Sequence, residues 1–141
     1  MADPLSIAAA GSGFLSLAGQ VADGLIKLRA LYKEIKYAPQ EVQNLCDEMD
    51  VVRSLLEDAG NRAQTASLPC LDHIQPSKLF AQCEKTRSHL EHVLRKLSIG
   101  FERSRLAAFR FPFKKKEIEE LLLSLERGKV SLLLVNQSLD A

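Results

Sequence analysis

Four stretches of the chain carry apolar residues at alternating steps of three and four positions, which is the spacing of one face of an α-helix. The first such stripe consists of Phe14, Ala18, Val21, Leu25, Leu28, Tyr32 and Ile35. The second consists of Val42, Leu45, Met49, Val52, Leu56 and Ala59, and the third of Leu79, Cys83, Thr86, Leu90, Val93 and Leu97. The fourth consists of Ile118, Leu121, Leu125, Gly128, Leu132, Val135 and Leu139. The pattern therefore predicts four helices, each with one apolar face.

The boundaries and the composition favour a single bundle of these helices. The second and third stripes begin just behind Pro39 and Pro76, and proline is common in the first turn of a helix. No stretch combines strict alternation with β-branched residues, as a strand would. Helices with one apolar face bury it best against each other. We expect an all-α fold, an antiparallel four-helix bundle with a long first helix, as one domain over residues 1–141.

Two connections stand out between the predicted helices. Residues 60–76 are rich in turn-forming residues and lack a helical stripe, which predicts a long loop. Residues 98–116 contain Gly100 and Pro112 as helix breakers, and they predict a basic connection before the last helix. This connection also carries four phenylalanines, Phe101, Phe109, Phe111 and Phe113. They either close one end of the bundle, beside solvated cations, or join those cations in a surface for anionic lipid.

The charge of the chain is divided between two regions. Among its 141 residues the formal net charge is +1, but residues 41–58 hold six acidic residues and one arginine. Residues 95–116 hold eight basic residues and one glutamate. The folded molecule should therefore be electrically two-sided, which bears on its partners rather than on its fold.

The sequence contains only weak candidates for a nucleotide-binding, metal-binding or catalytic site. A phosphate-binding loop around Gly128 and Lys129 would need an earlier glycine where Leu123 stands. Zinc-compatible residues are present, but they are scattered between a predicted loop, a core position and a helix surface: Cys70, His73, Cys83, His89 and His92. No nucleophile, acid and base are grouped in a known motif. We expect no enzymatic activity, no cofactor and no metal site.

Two further classes of protein, disulfide-stabilised proteins and nucleic-acid-binding proteins, are disfavoured. The three cysteines, Cys46, Cys70 and Cys83, are an odd number without CxxC spacing, and they are expected to be reduced thiols. A nucleic-acid-binding protein would carry its cations along a helix or an aromatic platform, whereas most of these cations lie in a connection. We therefore expect a cytoplasmic protein that does not bind nucleic acid.

The stretch from Pro4 to Ala22 contains no charged residue. As a helix it would be roughly 30 Å long, which is about the thickness of the hydrocarbon core of a bilayer. Glycines and serines keep its hydrophobicity modest, so it is either a helix end that packs closely on its neighbours or a segment that enters a membrane on a signal. The candidate membrane-insertion residues are Leu5, Ile7, Phe14, Leu15, Leu17 and Val21, of which Leu15 and Leu17 lie off the apolar stripe. The candidate lipid-facing cations are Arg103, Arg105, Arg110, Lys114, Lys115 and Lys116.

Two parts of the chain resemble a known family. Residues 1–28, which begin "MADPLSIAAAGSGF", and residues 111–137, which begin "FPFKKKEIEELLLSL", are similar to the opening and closing parts of the HeLo-like N-terminal domains of fungal STAND proteins. These proteins are the NOD-like receptors of fungi. The family often has tryptophan where this chain has Phe111, and the middle of the chain matches in pattern alone.

The resemblance implies a helical-bundle effector related to the HeLo domain of the fungal heterokaryon-incompatibility system. It is also similar to the four-helix bundle of the mixed-lineage kinase domain-like pseudokinase. Such bundles oligomerise on a signal from sensor domains, move to the plasma membrane, permeabilise it and kill the cell in fungal innate immunity. The expected partners are therefore other copies of the chain, anionic lipids and sensor domains of the same longer protein. The alternatives are a protein-binding adaptor and an autoinhibitory bundle, neither with membrane activity.

Overall fold

The computed structural model of the protein describes residues 4–34, 40–65, 76–106 and 115–139, and these ranges are helical throughout. Helix α1 spans Pro4–Glu34, α2 spans Gln40–Thr65, α3 spans Pro76–Leu106 and α4 spans Lys115–Leu139. The four helices pack against each other, so the predicted all-α four-helix bundle is confirmed. As predicted from the two prolines, α2 begins directly after Pro39 and α3 begins at Pro76.

The helices form a square in which α2 and α3 lie on one diagonal. Helix α1 packs on α2 and α3, and α4 packs on the same two helices. Gly11 lies against Gly60, whereas Gly24 lies near Met49, so α1 and α2 are antiparallel. Helices α2 and α4 run in the same direction, because Glu48 lies beside Lys129 and Leu55 beside Asn136.

The bundle therefore has two distinct ends. We call the end where α1 begins and where α2 and α4 finish the proximal end. Helix α3 runs in the same direction as α1, because Gly13 lies near Arg87 whereas Gly24 and Leu97 line one cleft. The opposite end, where α1 and α3 finish and where α2 and α4 begin, is the distal end. Gly60 marks the proximal end of α2 and Glu41 its distal end. Their separation along α2 is roughly 28 Å at about 1.5 Å of rise per residue.

The core is built from the predicted stripes. Large side chains from all four helices are almost completely buried in one cluster, among them Phe14, Met49, Leu90 and Leu132. At the α3–α4 contact, Gly128 lies so close to Leu90 that a Cβ on this glycine would stand 2.7 Å from Leu90 Cδ2. Gly128 is thus part of a helix contact, as its place in the stripe predicted.

Both connections begin later in the structure than the sequence pattern predicted. Residues 60–65, predicted as loop, continue α2, and Gly60 and Ala63 are buried. Gly100, predicted as a breaker, is buried within α3, and Phe101 follows it half-buried against the core. A glycine can serve close helix packing as well as end a helix, and here both glycines are internal. Phe109, Phe111, Phe113 and Pro112 lie outside the described residues.

Candidate functional site: an uncharged segment of α1

Helix α1 has two halves that differ in their solvent-facing residues. In the described part of the first half, the exposed positions are Ala9, Ser12, Ser16, Gly19 and Gln20, none of which is charged. In the second half, the exposed positions include Asp23, Lys27, Arg29 and Lys33. We call residues 4–22 the uncharged segment. Within the described ranges, no helix has a stretch both long enough and apolar enough to cross a membrane.

The inward face of the uncharged segment is fully apolar. Ile7, Phe14, Leu17 and Val21 are all buried in the core. The prediction that Leu17 lies off the apolar stripe is wrong, because its side chain is 2% exposed. Helix α1 packs on two neighbours, so its buried face is wider than a single stripe of steps of three and four.

Two other predicted insertion residues differ from these. Leu15 is half-buried, and its side chain lies over Gly60, since a Cβ on that glycine would stand 2.6 Å from Leu15 Cγ. Leu5 belongs to α1, but its side chain is outside the described part of the structure.

Beside Leu15, the uncharged segment crosses the end of α2 at residues that have small side chains or none. A Cβ on Gly11 would stand 2.7 Å from the carbonyl oxygen of Gly60 and 2.9 Å from Ala63 Cβ. Next to this crossing, Gln64 Nε2 donates a hydrogen bond of 2.9 Å to Ser12 Oγ. The contact of Gly60, Ala63 and Gln64 with α1 was not predicted, because these residues lie in the predicted loop.

The other side of the segment lies near α3. A Cβ on Gly13 would stand 3.2 Å from Cδ of Arg87. The Arg87 guanidinium is held by two carboxylates of its own helix, with a distance of 2.7 Å from Nη1 to Glu91 Oε1 and a second hydrogen bond to Glu84. The hydrogen bond to Glu84 raises the pKa of Arg87 further above its ordinary value. The guanidinium charge is therefore compensated within α3 and does not need a partner from α1.

The predicted lipid-facing cations lie elsewhere. Lys115 and Lys116 are exposed at the distal end, where Lys115 Nζ is 3.9 Å from Glu41 Oε1. Arg103 and Arg105 are in the last turn of α3, also at the distal end, but their side chains lie outside the described part. Arg110 and Lys114 lie outside the described residues altogether. The structure thus does not bring Lys115 and Lys116 together with the crossing at Gly60, which is roughly 28 Å further along the bundle.

Of the residues considered for metal binding, His89 and Cys83 have structural roles, whereas His92 is exposed on α3. His89 Nε2 is 2.8 Å from the backbone carbonyl oxygen of Ser124, so this ring links α3 to α4. Cys46 and Cys83 are buried free thiols. Burial raises the pKa of both, that of Cys83 to about 11, which keeps the thiols protonated and unreactive near neutral pH. Among the described residues there is no group of three or more potential metal ligands, and Cys70 and His73 lie outside them.

Two features of α4 were missed by the sequence reasoning. Its solvent-facing side carries half-exposed Leu123, Val130, Leu133 and Leu134. The runs "ELLLSL" and "SLLLV" could have predicted these exposed apolar residues, because they contain more apolar residues than one buried face of a helix can hold. On its inner side Asn136 is buried; its Nδ2 donates a bond of 3.4 Å to the Leu55 carbonyl oxygen, while its Oδ1 has no partner among the described residues.

Comparisons with known proteins leave the family undecided. No protein-family model, no curated protein and no solved structure matches this chain. The resemblance of its two ends to HeLo-like domains stays a prediction. What bears on function is the arrangement of the chain's own residues, above all the uncharged segment of α1.

Proposed function

We propose that this chain is a non-enzymatic signalling domain that executes cell death by oligomerising and permeabilising membranes through the uncharged segment of α1. The observation that carries the proposal is the absence of charge on the solvent-facing side of this segment, at Ala9, Ser12, Ser16 and Gly19. Helices on the surface of a bundle normally carry charged residues on this side, as α2 does at Asp47, Glu57 and Asp58. The free-energy cost of moving a helical segment from water into a membrane is lower when the segment carries no charge.

The two faces of the segment suit two different contacts in a membrane. The face with Ile7, Phe14 and Val21, buried in the resting bundle, would face lipid. The small face with Ser12, Ser16 and Gly19 would face other copies of the helix, because small residues let helix backbones approach and hydroxyls form hydrogen bonds across the contact. A single copy would leave those hydroxyls in hydrocarbon. The proposal therefore includes clustering of several copies as the condition for insertion.

The distal end supplies the first contact with a membrane. Lys115 and Lys116 are exposed there, and each cation near an anionic surface contributes about 1 kcal/mol of attraction. Helix α1 would then have to leave the bundle, since its uncharged segment begins at the other end. The partners in this proposal are anionic lipids of the plasma membrane, other copies of the chain and the sensor domains that trigger clustering of an otherwise cytoplasmic protein.

The test is leakage of vesicles made of phosphatidylserine and phosphatidylcholine when the whole chain is clustered through a fused tag that a chemical ligand oligomerises. The variant Ser16→Glu adds a charge at an exposed position, so the resting bundle should fold normally while leakage is lost. The matched control is Ala30→Glu, at an exposed position of the charged half of α1, which should leak like the wild type. A folded Ser16→Glu variant that leaks fully would show that the uncharged segment does not insert.

An adaptor function is the second candidate, and the apolar outer side of α4 favours it. Leu123, Val130, Leu133 and Leu134 are each about half exposed, as in surfaces that bind other proteins. Under this alternative, helix α1 stays in the bundle, and clustered wild-type protein leaves vesicles intact. The leakage assay thus separates the two candidates.

A further inference from the structure

The end of α2 contacts the uncharged segment in a way that differs from the rest of the core. Elsewhere α1 is held by large side chains such as Phe14 and Leu25. At residues 60–65, α2 contributes only Gly60, Ala63 and the side chain of Gln64 to the described contact, and Leu15 of α1 packs over Gly60. We propose that residues 60–65 are a latch, an autoinhibitory contact that retains α1 in the resting bundle and whose opening starts its release.

The physical reason lies in the distance dependence of this contact. Glycine and alanine bury little apolar area, so the crossing is stabilised by close van der Waals contact between the backbones of Gly11 and Gly60 and by the Leu15 side chain packed on Gly60. Such attraction falls steeply, and a gap of about 0.5–1 Å already forfeits a quarter to a half of it. The hydrogen bond from Gln64 to Ser12 depends on the same approach. A small displacement of the end of α2 therefore weakens its contact with α1 substantially.

Both glycines of this contact occupy positions at which glycine lowers the stability of the helix. Glycine weakens a helix interior, and both Gly11 and Gly60 lie inside helices. At both positions a Cβ would meet backbone atoms of the facing helix. Gly19 of the same segment differs, because no atom of another described element lies within 4 Å of a Cβ placed there. Gly19 is thus a matched control within the same helix.

An engineered disulfide tests the latch directly. A Cβ on Gly11 would stand 2.9 Å from Ala63 Cβ, so cysteines at these two positions need to separate by about 1 Å to reach the usual disulfide spacing. The double variant Gly11→Cys/Ala63→Cys is made with Cys70→Ala, which leaves the buried Cys46 and Cys83 as the other thiols. We expect the oxidised protein to show at least tenfold less clustering-dependent leakage from phosphatidylserine vesicles than the wild type. The reduced protein should leak at least as readily as the wild type, because the side chain added at Gly11 itself pushes the two helices apart.

A second variant opens the latch without a cross-link. In Gly60→Ala, the added methyl group meets Leu15 and the Gly11 carbonyl oxygen, so we expect leakage at a several-fold lower degree of clustering. The control Gly19→Ala should leak at the wild-type threshold. Circular dichroism establishes that both variants remain helical.

This inference rests on the proposed function, because release of α1 causes leakage only if α1 then enters the membrane. The outcomes of the experiment distinguish failure of the latch from failure of the proposed function. If reduced and wild-type proteins both leave vesicles intact when clustered, the proposed function fails. If they leak and the oxidised protein leaks equally, the proposed function stands and the latch is wrong. Failure of the cysteines to form a bond in the folded protein, or a Gly60→Ala threshold equal to that of Gly19→Ala, also overturns the latch.

Discussion

Gly11 of α1 and Gly60 of α2 are in contact, backbone against backbone. A Cβ on Gly11 would stand 2.7 Å from the Gly60 carbonyl oxygen, and one on Gly60 would stand 2.9 Å from the Gly11 carbonyl oxygen. The relationship is reciprocal, so neither position has room for a side chain unless the two helices move apart. The end of a flexible side chain can rotate away from an added methyl group, whereas a helix backbone cannot.

The first prediction compares two glycines of the same helix. We expect Gly11→Ala to lower the free energy of unfolding by about 1–3 kcal/mol, because the added methyl group overpacks the crossing. Gly19→Ala should raise it by up to about 1 kcal/mol, since alanine favours the helix and the position is open. Urea unfolding of both variants measures the difference. Equal effects would mean that α1 and α2 do not cross at these residues.

The second prediction concerns the side of α1 that faces the core. Leu17→Glu and Val21→Asp should each lower the free energy of unfolding by several kcal/mol, because both place an unpaired carboxylate among buried apolar side chains. The control Ser16→Glu adds the same charge at an exposed position and should change stability by less than about 0.5 kcal/mol. Thermal melting followed by circular dichroism checks this. A Leu17→Glu variant as stable as Ser16→Glu would contradict the rotation of α1 described above.

The third prediction concerns the buried amide of Asn136. Its Oδ1 lacks a partner among the described residues, so Asn136→Leu removes an uncompensated polar atom. The change also removes the long hydrogen bond from Asn136 Nδ2 to the Leu55 carbonyl oxygen, so we expect the free energy of unfolding to rise by about 1 kcal/mol in urea unfolding. Gln137→Leu makes a similar change at the exposed neighbouring position and should have little effect. A loss of stability in Asn136→Leu would show that the amide is fully hydrogen-bonded in solution.

The fourth prediction follows from the raised pKa of the Cys83 thiol. In the unfolded chain the thiol ionises near its ordinary value of 9.0, whereas in the folded protein burial raises its pKa to about 11. Between these values the unfolded state binds fewer protons than the folded state, so stability falls as the pH rises. The contribution is on the order of 2–3 kcal/mol, fully present below pH 9 and lost by pH 11.

This pH dependence is measured by urea unfolding of the wild type and of Cys83→Ala at pH 8 and above. The variant lacks the thiol, so its free energy of unfolding should fall less steeply over the same range, whatever other groups titrate. Identical slopes would show that Cys83 is not buried in solution.

The fifth prediction concerns the exposed lysines of the distal end. Changing Lys115 and Lys116 together to glutamine should weaken binding to phosphatidylserine vesicles by about 2 kcal/mol, or roughly 30-fold, at low salt. The wild type should itself lose affinity steeply as salt is added. The pair Lys78→Gln/Lys85→Gln makes the same change in charge at exposed positions of α3 away from the distal end. Equal losses in a vesicle sedimentation assay would mean that net charge matters and the distal end does not.

Much of this fold follows from periodicity. The spacing of apolar residues gave four helices and most buried positions, because a helix in a bundle must repeat its core contacts every three or four residues. The single apolar stripe predicted for α1 did not include Leu17. Helix α1 packs on two helices, and contact with a second neighbour adds a second row of buried residues.

The glycines were harder to interpret. Gly60 and Gly100 resemble helix breakers in their local sequence, and nothing within a few residues distinguishes them from a glycine that lets two helices approach. The crossing of Gly11 and Gly60 joins positions 49 residues apart, so its existence depends on how α1 and α2 pack. The same holds for the orphan oxygen of Asn136, which depends on its position opposite Leu55 of α2.

The start of α1 and the end of α4 share the proximal end of the bundle, which has a consequence for the order of events in the proposed function. A module fused behind residue 139 would tether each copy by the end that carries the uncharged segment. Tethering raises the effective concentration of the tethered parts to the millimolar range when the linker is short. The uncharged segments of neighbouring copies would then meet while Lys115 and Lys116 still point away from them. We therefore expect assembly of these segments to precede their entry into lipid.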